Sequence, residues 1–427
     1  MIDKECIACG KSGINVVEVL NLGMQAPANN LLNNQDDKDY KVYPLGIDAC
    51  IDCGHGQLSY FVPPEELFSH YLYVSSTSQT MRDHMKKLAY FVLNLKGKDA
   101  SVFELGSNDG LFLKSLKEVG ITNAIGIDPA ANIVSTANEE GLETILGYWP
   151  EDGKNVESNH YDIVIGQNVF AHTANPFSSL QEVKRILKDD GFAIFQTSQA
   201  DMIANGEFDT TYHEHCSFFC ESSMDALAKR VGLKLVYTHY VDMHGNSSLY
   251  VLVNDGTNSD ITSIELSAVA SGLDEIEAKD ERTAKLRKTR TIADWDQFYQ
   301  TANGKKSDAS RVASDWIEKG YRVVSVGAAA KGITFLRSAD IVVDSVLDEA
   351  PLKINKWIPG LDVQISPFSS LTQNDAFIIS AWNFAKEIAM KLIDNGADPA
   401  SPCLLYFPEG IITTVGYLAL NGIDFDE

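Results

Sequence analysis

Two stretches of this chain run from a buried strand into a glycine-punctuated turn, then a helix, then a second strand ending on an acid. The first is Ser101-Val102-Phe103-Glu104-Leu105-Gly106-Ser107-Asn108-Asp109-Gly110, followed by a predicted helix over 111–119 and by Ala124-Ile125-Gly126-Ile127-Asp128. The second is Tyr321-Arg322-Val323-Val324-Ser325-Val326-Gly327-Ala328-Ala329-Ala330-Lys331-Gly332, followed by a strand over 342–348 that ends on Asp348. Such a unit pairs its strands in parallel and covers them with the helix, so each commits its region to an α/β layer architecture. A chain of 427 residues exceeds one compact core, and the two units fit separate domains.

The first unit continues in the same alternation. Strands are expected at 161–167 and 191–197, with a helix over 177–187 between them, and a helix over 79–95 leads in. Ligands of such sheets sit at the carboxyl ends of the strands. That places Gly106, Asn108, Asp109, Gly110, Asn168, His172 and the loop after Thr197 at the mouth of a site. Within that loop lies Tyr212-His213-Glu214-His215, a phenol, two imidazoles and a carboxylate that no helix cap or turn requires. Such a quartet suits proton transfer or metal binding.

The glycine loop itself selects the cofactor. It lacks the bare G-x-G-x-x-G amides that receive a pyrophosphate. Glu104 precedes its first glycine and Asp109 its last, which favours a cationic, phosphate-free cofactor. S-adenosylmethionine, with its sulfonium and amino group, fits, and Asp128 can accept from its ribose hydroxyls. Glu-x-Gly-x-x-x-Gly resembles the first motif of the class I methyltransferases.

Charge narrows the partners further. The formal net charge is -24 at pH 7, so nucleic acid and anionic membranes would be repelled. No stretch approaches the roughly 20 apolar residues of a membrane helix, and the N-terminus has no apolar signal core, so a soluble cytoplasmic protein is expected.

Four of the seven cysteines form Cys6-Ile7-Ala8-Cys9-Gly10 and Cys50-Ile51-Asp52-Cys53-Gly54. Paired knuckles of this kind read as a structural four-thiolate zinc site, closed to catalysis. The stretch 20–43 between them reads as an insertion, and His55 as a surface residue or a donor behind the cysteines. Beyond 64, Tyr71-x-Tyr73-x-Ser75-Ser76 alternates as an extended segment, a packed face or a pocket wall. Polar residues 254–259 mark a boundary, and the charged helices over 265–302 read as a solvated connector. In the second α/β unit Lys331, Lys353 and Lys356 stand out in so acidic a chain, with Trp357 beside them. A nucleoside diphosphate there, its base stacked on Trp357, is the expected ligand.

In this order these features resemble the three-domain, zinc-containing C-methyltransferases that act on nucleotide-linked deoxysugars. The residues that carry the resemblance are the paired Cys-x-x-Cys, Tyr71-x-Tyr73-x-Ser75-Ser76, the Glu104–Gly110 loop, Tyr212–His215, His244-Gly245-Asn246-Ser247 and Gly327-Ala328-x-x-Lys331-Gly332. The resemblance implies a zinc module (1–70), a central Rossmann-like methyltransferase domain (71–258) and a second Rossmann-like domain (259–427) that binds the nucleotide sugar. It implies a monomer acting on a 4-keto-6-deoxysugar linked to dTDP or, second, GDP. His215 would remove the C3' proton, with Glu214, Tyr212, His172 and Tyr71 around it. Asn168 would border the cofactor, and Tyr73, Ser75, His213, His244 and Ser247 the sugar. The competing readings are an O- or N-methyltransferase on another small molecule, a non-catalytic scaffold, and a zinc hydrolase centred on His213 and His215.

Overall fold

In a computed structural model the described residues are 4–37, 39–68, 76, 79–256 and 263–422. Tyr71, Tyr73 and Ser75 lie outside them.

The N-terminal strands are β1 (Val16–Gln25), β2 (Tyr43–Cys50) and β3 (Gly56–Leu58). Five follow in the first α/β unit: β4 (Val102–Leu105), β5 (Ala124–Asp128), β6 (Thr144–Leu146), β7 (Tyr161–Gln167) and β8 (Leu187–Thr197). The short β9 (Ser217–Phe218) precedes β10 (Leu233–Val241) and β11 (Ser247–Asn254). The last unit holds β12 (Arg322–Val326), β13 (Ser345–Leu347), β14 (Trp357–Ile358), β15 (Val363–Ser366), β16 (Asp375–Ile379), β17 (Pro402–Leu405) and β18 (Ile411–Thr414).

They form three sheets, ordered β1-β2-β3-β9, β10-β11-β8-β7-β4-β5-β6 and β14-β15-β13-β12-β16-β17-β18. In the second, β6, β5, β4, β7 and β8 are parallel, and β11 and β10 are antiparallel additions. Strand order reverses between β4 and β7, so the ligand crevice opens beside the ends of those two strands. The third sheet repeats the plan, with parallel β12 flanked by β13 and β16.

Local sequence explains the joints. β4 is fully buried, and the helix Leu111–Glu118 turns Leu111, Phe112, Leu113 and Leu116 inward. Its start needs Gly110, at φ 77°, and Gly106 needs φ 63° where a Cβ would lie 2.6 Å from Val169. Helix Pro176–Ile186 is capped by Asn175, which accepts from the Ser178 amide, with proline at its first position. The helix Gln79–Lys96 buries Met81, Met85, Leu88, Phe91 and Val92 at the expected spacing.

Three expectations change. The insertion between the knuckles begins only after Gln25, because β1 extends through it to pair with β2. His55 is completely buried against the Phe219 ring, 4.7 Å away, rather than at the surface. The connector is three helices, Ser263–Ala270, Glu281–Lys288 and Ile292–Glu318. It is not merely a solvated face: Arg287 and Arg290 are both buried.

Candidate active site

The knuckles come together as the sequence requires. The sulfurs of Cys6, Cys9, Cys50 and Cys53 lie within 4.8 Å of one another. Cys6 and Cys53 are 3.7 Å apart, Cys9 and Cys50 3.6 Å. A tetrahedral ion with sulfur at about 2.3 Å separates its ligands by about 3.8 Å, so the four thiols fit zinc.

The glycine loop forms an acidic cradle. Glu104 is buried, and one of its carboxylate oxygens has no hydrogen-bond partner. Burial holds its carboxyl well above the usual range, and the neighbouring Asp128 and Asp109 add to this. Asp128 accepts from the amides of Asn108 and Ala130, both at 2.9 Å. One oxygen of Asp109 is likewise buried and unpaired, while the other accepts from the Ser76 amide. Asn108 and Asn168 adopt left-handed backbone, φ 49° and 56°. Unsatisfied buried carboxylate oxygens around a concave glycine turn suit a cation, as S-adenosylmethionine provides.

Next to β7 stands the histidine cluster. The segment Tyr212–His215 is a tight turn, not an extended strand, and the His215 amide bonds the Tyr212 carbonyl at 2.9 Å. Tyr212 and His215 therefore share one side of the turn. His215 Nδ1 lies 2.7 Å from the Thr210 carbonyl oxygen, which can only accept. The proton is thus on Nδ1, and Nε2 is a bare lone pair that accepts from the Tyr212 hydroxyl at 2.8 Å. The His172 ring stacks on His215 with centroids 5.2 Å apart. Burial holds His215 well below the usual histidine range, with His172 adding to this, and pushes His172 itself down to about 4.

The other two members of the quartet face the N-terminal module. Glu214 accepts from the Asn29 side chain at 2.6 Å, and burial pushes its carboxyl up to about 7. His213 meets the Tyr43 ring edge-on at 6.0 Å, and burial lowers it to about 4.

From the far side come Lys331 and the turn at His244. Lys331 Nζ donates to the His244 carbonyl at 3.3 Å, lies 3.8 Å from Glu207 and sits over the Trp382 ring. Burial pushes Glu207 up to about 7 and Asp209 to about 6, and lowers His244 to about 4. Ser247 spends its hydroxyl on the Met243 carbonyl at 2.8 Å. Lys353 donates to the Ala328 carbonyl at 2.9 Å. Lys356 bonds Asn33, and Trp357 bridges Leu32, so these two join the N-terminal loop and not the Lys331 cluster.

Sequence reasoning missed Asn29, Glu207, Asp209 and the Thr210 carbonyl. Glu207 and Asp209 were within sight, since they lie just upstream of the quartet. Asn29 carried no signal, being 185 residues from its partner.

Residues 6–68 match a family model for a zinc binding domain, 76–238 a methyltransferase domain, and 264–398 a C-methyltransferase C-terminal domain. The C-methyltransferase NovU of Streptomyces niveus is 29% identical over 403 residues, covering 92% of this chain and 91% of NovU. A ubiquinone biosynthesis O-methyltransferase of Hydrogenovibrio crunogenus is 26% identical over 155 residues, 32% of this chain and 64% of its own. A solved structure, the PH0226 protein of Pyrococcus horikoshii OT3, overlaps 46% of this chain and 100% of itself, with 18% identity and a TM-score of 0.35. No helix among the described residues is long and apolar enough to cross a membrane. The chain is an S-adenosylmethionine-dependent C-methyltransferase that joins a cysteine-rich zinc-binding module, a methyltransferase domain and a C-methyltransferase C-terminal domain.

Proposed function

We propose that the enzyme methylates C3' of a 4-keto-6-deoxysugar linked to dTDP or GDP, with His215 as the general base. One observation carries the assignment of the base. The Thr210 carbonyl fixes the proton of His215 on Nδ1, so Nε2 presents its lone pair inside a buried cluster.

A 4-keto group acidifies the adjacent C3'–H. His215 Nε2 takes that proton, directly once Tyr212 swings aside or through the Tyr212 hydroxyl that now bonds it. The C–H electron pair moves into the enolate, whose negative charge offsets the cost of a buried imidazolium. Glu104, Gly106, Asn108, Asp109, Gly110 and Asp128 would hold S-adenosylmethionine, which would supply an electrophilic methyl group for C3' and leave as S-adenosylhomocysteine, the S–CH3 electron pair staying on sulfur. Glu214, tethered by Asn29, and Lys331, which is already close to the turn at His244, are placed to hold the sugar oxygens and its diphosphate.

Incubation with S-adenosylmethionine and a panel of dTDP- and GDP-4-keto-6-deoxysugars, read by mass spectrometry, tests this. One member is expected to gain a single methyl group. No gain on any member would remove the sugar from the proposal.

A further inference from the structure

The segment after His215 is held by parts of the chain far from it. The Cys216 carbonyl accepts from the Leu58 amide, and β9 pairs with β3 through Gly56↔Phe218 and Gln57↔Ser217. One side chain grips this joint from above. Arg290, only 2% exposed, donates to the carbonyls of Phe218 and Phe219, both at 2.9 Å. The same guanidinium reaches the Gln199 carbonyl at 3.4 Å. Gln199 opens the loop that carries Tyr212 and His215, and Phe218 and Phe219 close it.

The backbone of Arg290 also abuts the second cysteine knuckle. A Cβ on Gly54 would lie 2.6 Å from the Arg290 carbonyl oxygen and 2.9 Å from its nitrogen. Trp295, near the start of the following helix, packs so closely on Gly56 that a Cβ there would come within 2.5 Å of its ring. The zinc-binding, methyltransferase and C-terminal regions thus meet at one buried residue. The planar fork serves carbonyls on both ends of the loop from two separate nitrogens, Nη1 and Nη2, where a lysine offers the donors of a single nitrogen.

We propose that Arg290 is a positioning residue, which fixes the loop carrying Tyr212 and His215 against the second zinc knuckle. It touches neither substrate nor cofactor and acts through main-chain carbonyls. Its bearing on catalysis rests on His215 being the base, but its positioning role does not, and can be read without any substrate.

The test compares amide hydrogen exchange in the zinc-loaded full-length wild type, Arg290→Met, Arg290→Lys and the control Lys288→Met, an exposed site two residues earlier, at the end of the preceding helix. Removing the guanidinium leaves buried carbonyls unpaired, so amides 212–220 are expected to exchange about tenfold faster or more in Arg290→Met. Arg290→Lys should lie between, and the control should match wild type. Amides of β4, β8 and β12 should be unchanged, as should the affinity for S-adenosylmethionine. Unchanged exchange over 212–220, or an equal rise throughout the three sheets, would overturn the proposal. If Arg290→Met does not fold, Arg290→Lys carries the same comparison with the same two outcomes.

Discussion

At the scale of single residues, the site turns on which nitrogen of His215 holds the proton. The Thr210 carbonyl decides it, and a local turn puts that carbonyl in place. Replacing His215 with glutamine should lower turnover by about 10²- to 10⁴-fold while leaving the dissociation constant for S-adenosylmethionine within error. Wild-type turnover in that variant would move the base elsewhere. Glu214 gives a pH signature. Its carboxyl is raised from 4.5 to about 7 by burial, so the folded protein keeps a proton that the unfolded chain has released. Its contribution to stability therefore falls as pH rises from the usual carboxylate range to about 7, by about 1.4 kcal/mol per unit. Glu214→Gln removes this dependence. In urea titrations without substrate, the stability of Glu214→Gln relative to wild type should grow between pH 5 and 8. A constant difference would contradict the buried, neutral state of this carboxyl.

Secondary-structure elements were mostly legible from the sequence where their cause was local. The glycine turns, the helix 79–96 and the cysteine knuckles follow from spacing of a few residues. The charged connector misled because helical charge usually faces water, whereas Arg287 and Arg290 find partners 86 and 72 residues away. The quartet itself was found, but its shape was not. Nothing local announced the turn that brings Tyr212 onto His215. The cofactor loop yields a sharper prediction. Gly106→Ala forces a side chain into left-handed backbone and against Val169. Binding of S-adenosylmethionine, measured calorimetrically, should weaken about 5- to 150-fold, the effect of about 1–3 kcal/mol of strain. Unchanged affinity would place the cofactor outside this turn.

Over the whole molecule, the site is assembled from every region of the chain. Asn29 comes from the first, the glycine loop and histidines from the second, Lys331 from the last. The connector locks this arrangement. Arg287 forks onto Asp201 at 2.7 and 2.9 Å, and Asp201 accepts from Asn246 beside the His244 turn. Breaking such a buried pair from one side costs about 3–5 kcal/mol, so Arg287→Met should shift the urea midpoint of the transition monitored at the central sheet strongly downward. A midpoint equal to wild type would show that the pair contributes little. Above all of this stands the claim that the methyl is transferred to a carbon freed of its proton. The most direct measurement gives the enzyme the accepted nucleotide sugar carrying deuterium at C3', with S-adenosylmethionine, and weighs the product. The account predicts a product with one added methyl group and no deuterium at C3'. A methylated product that retains the C3' deuterium would contradict it.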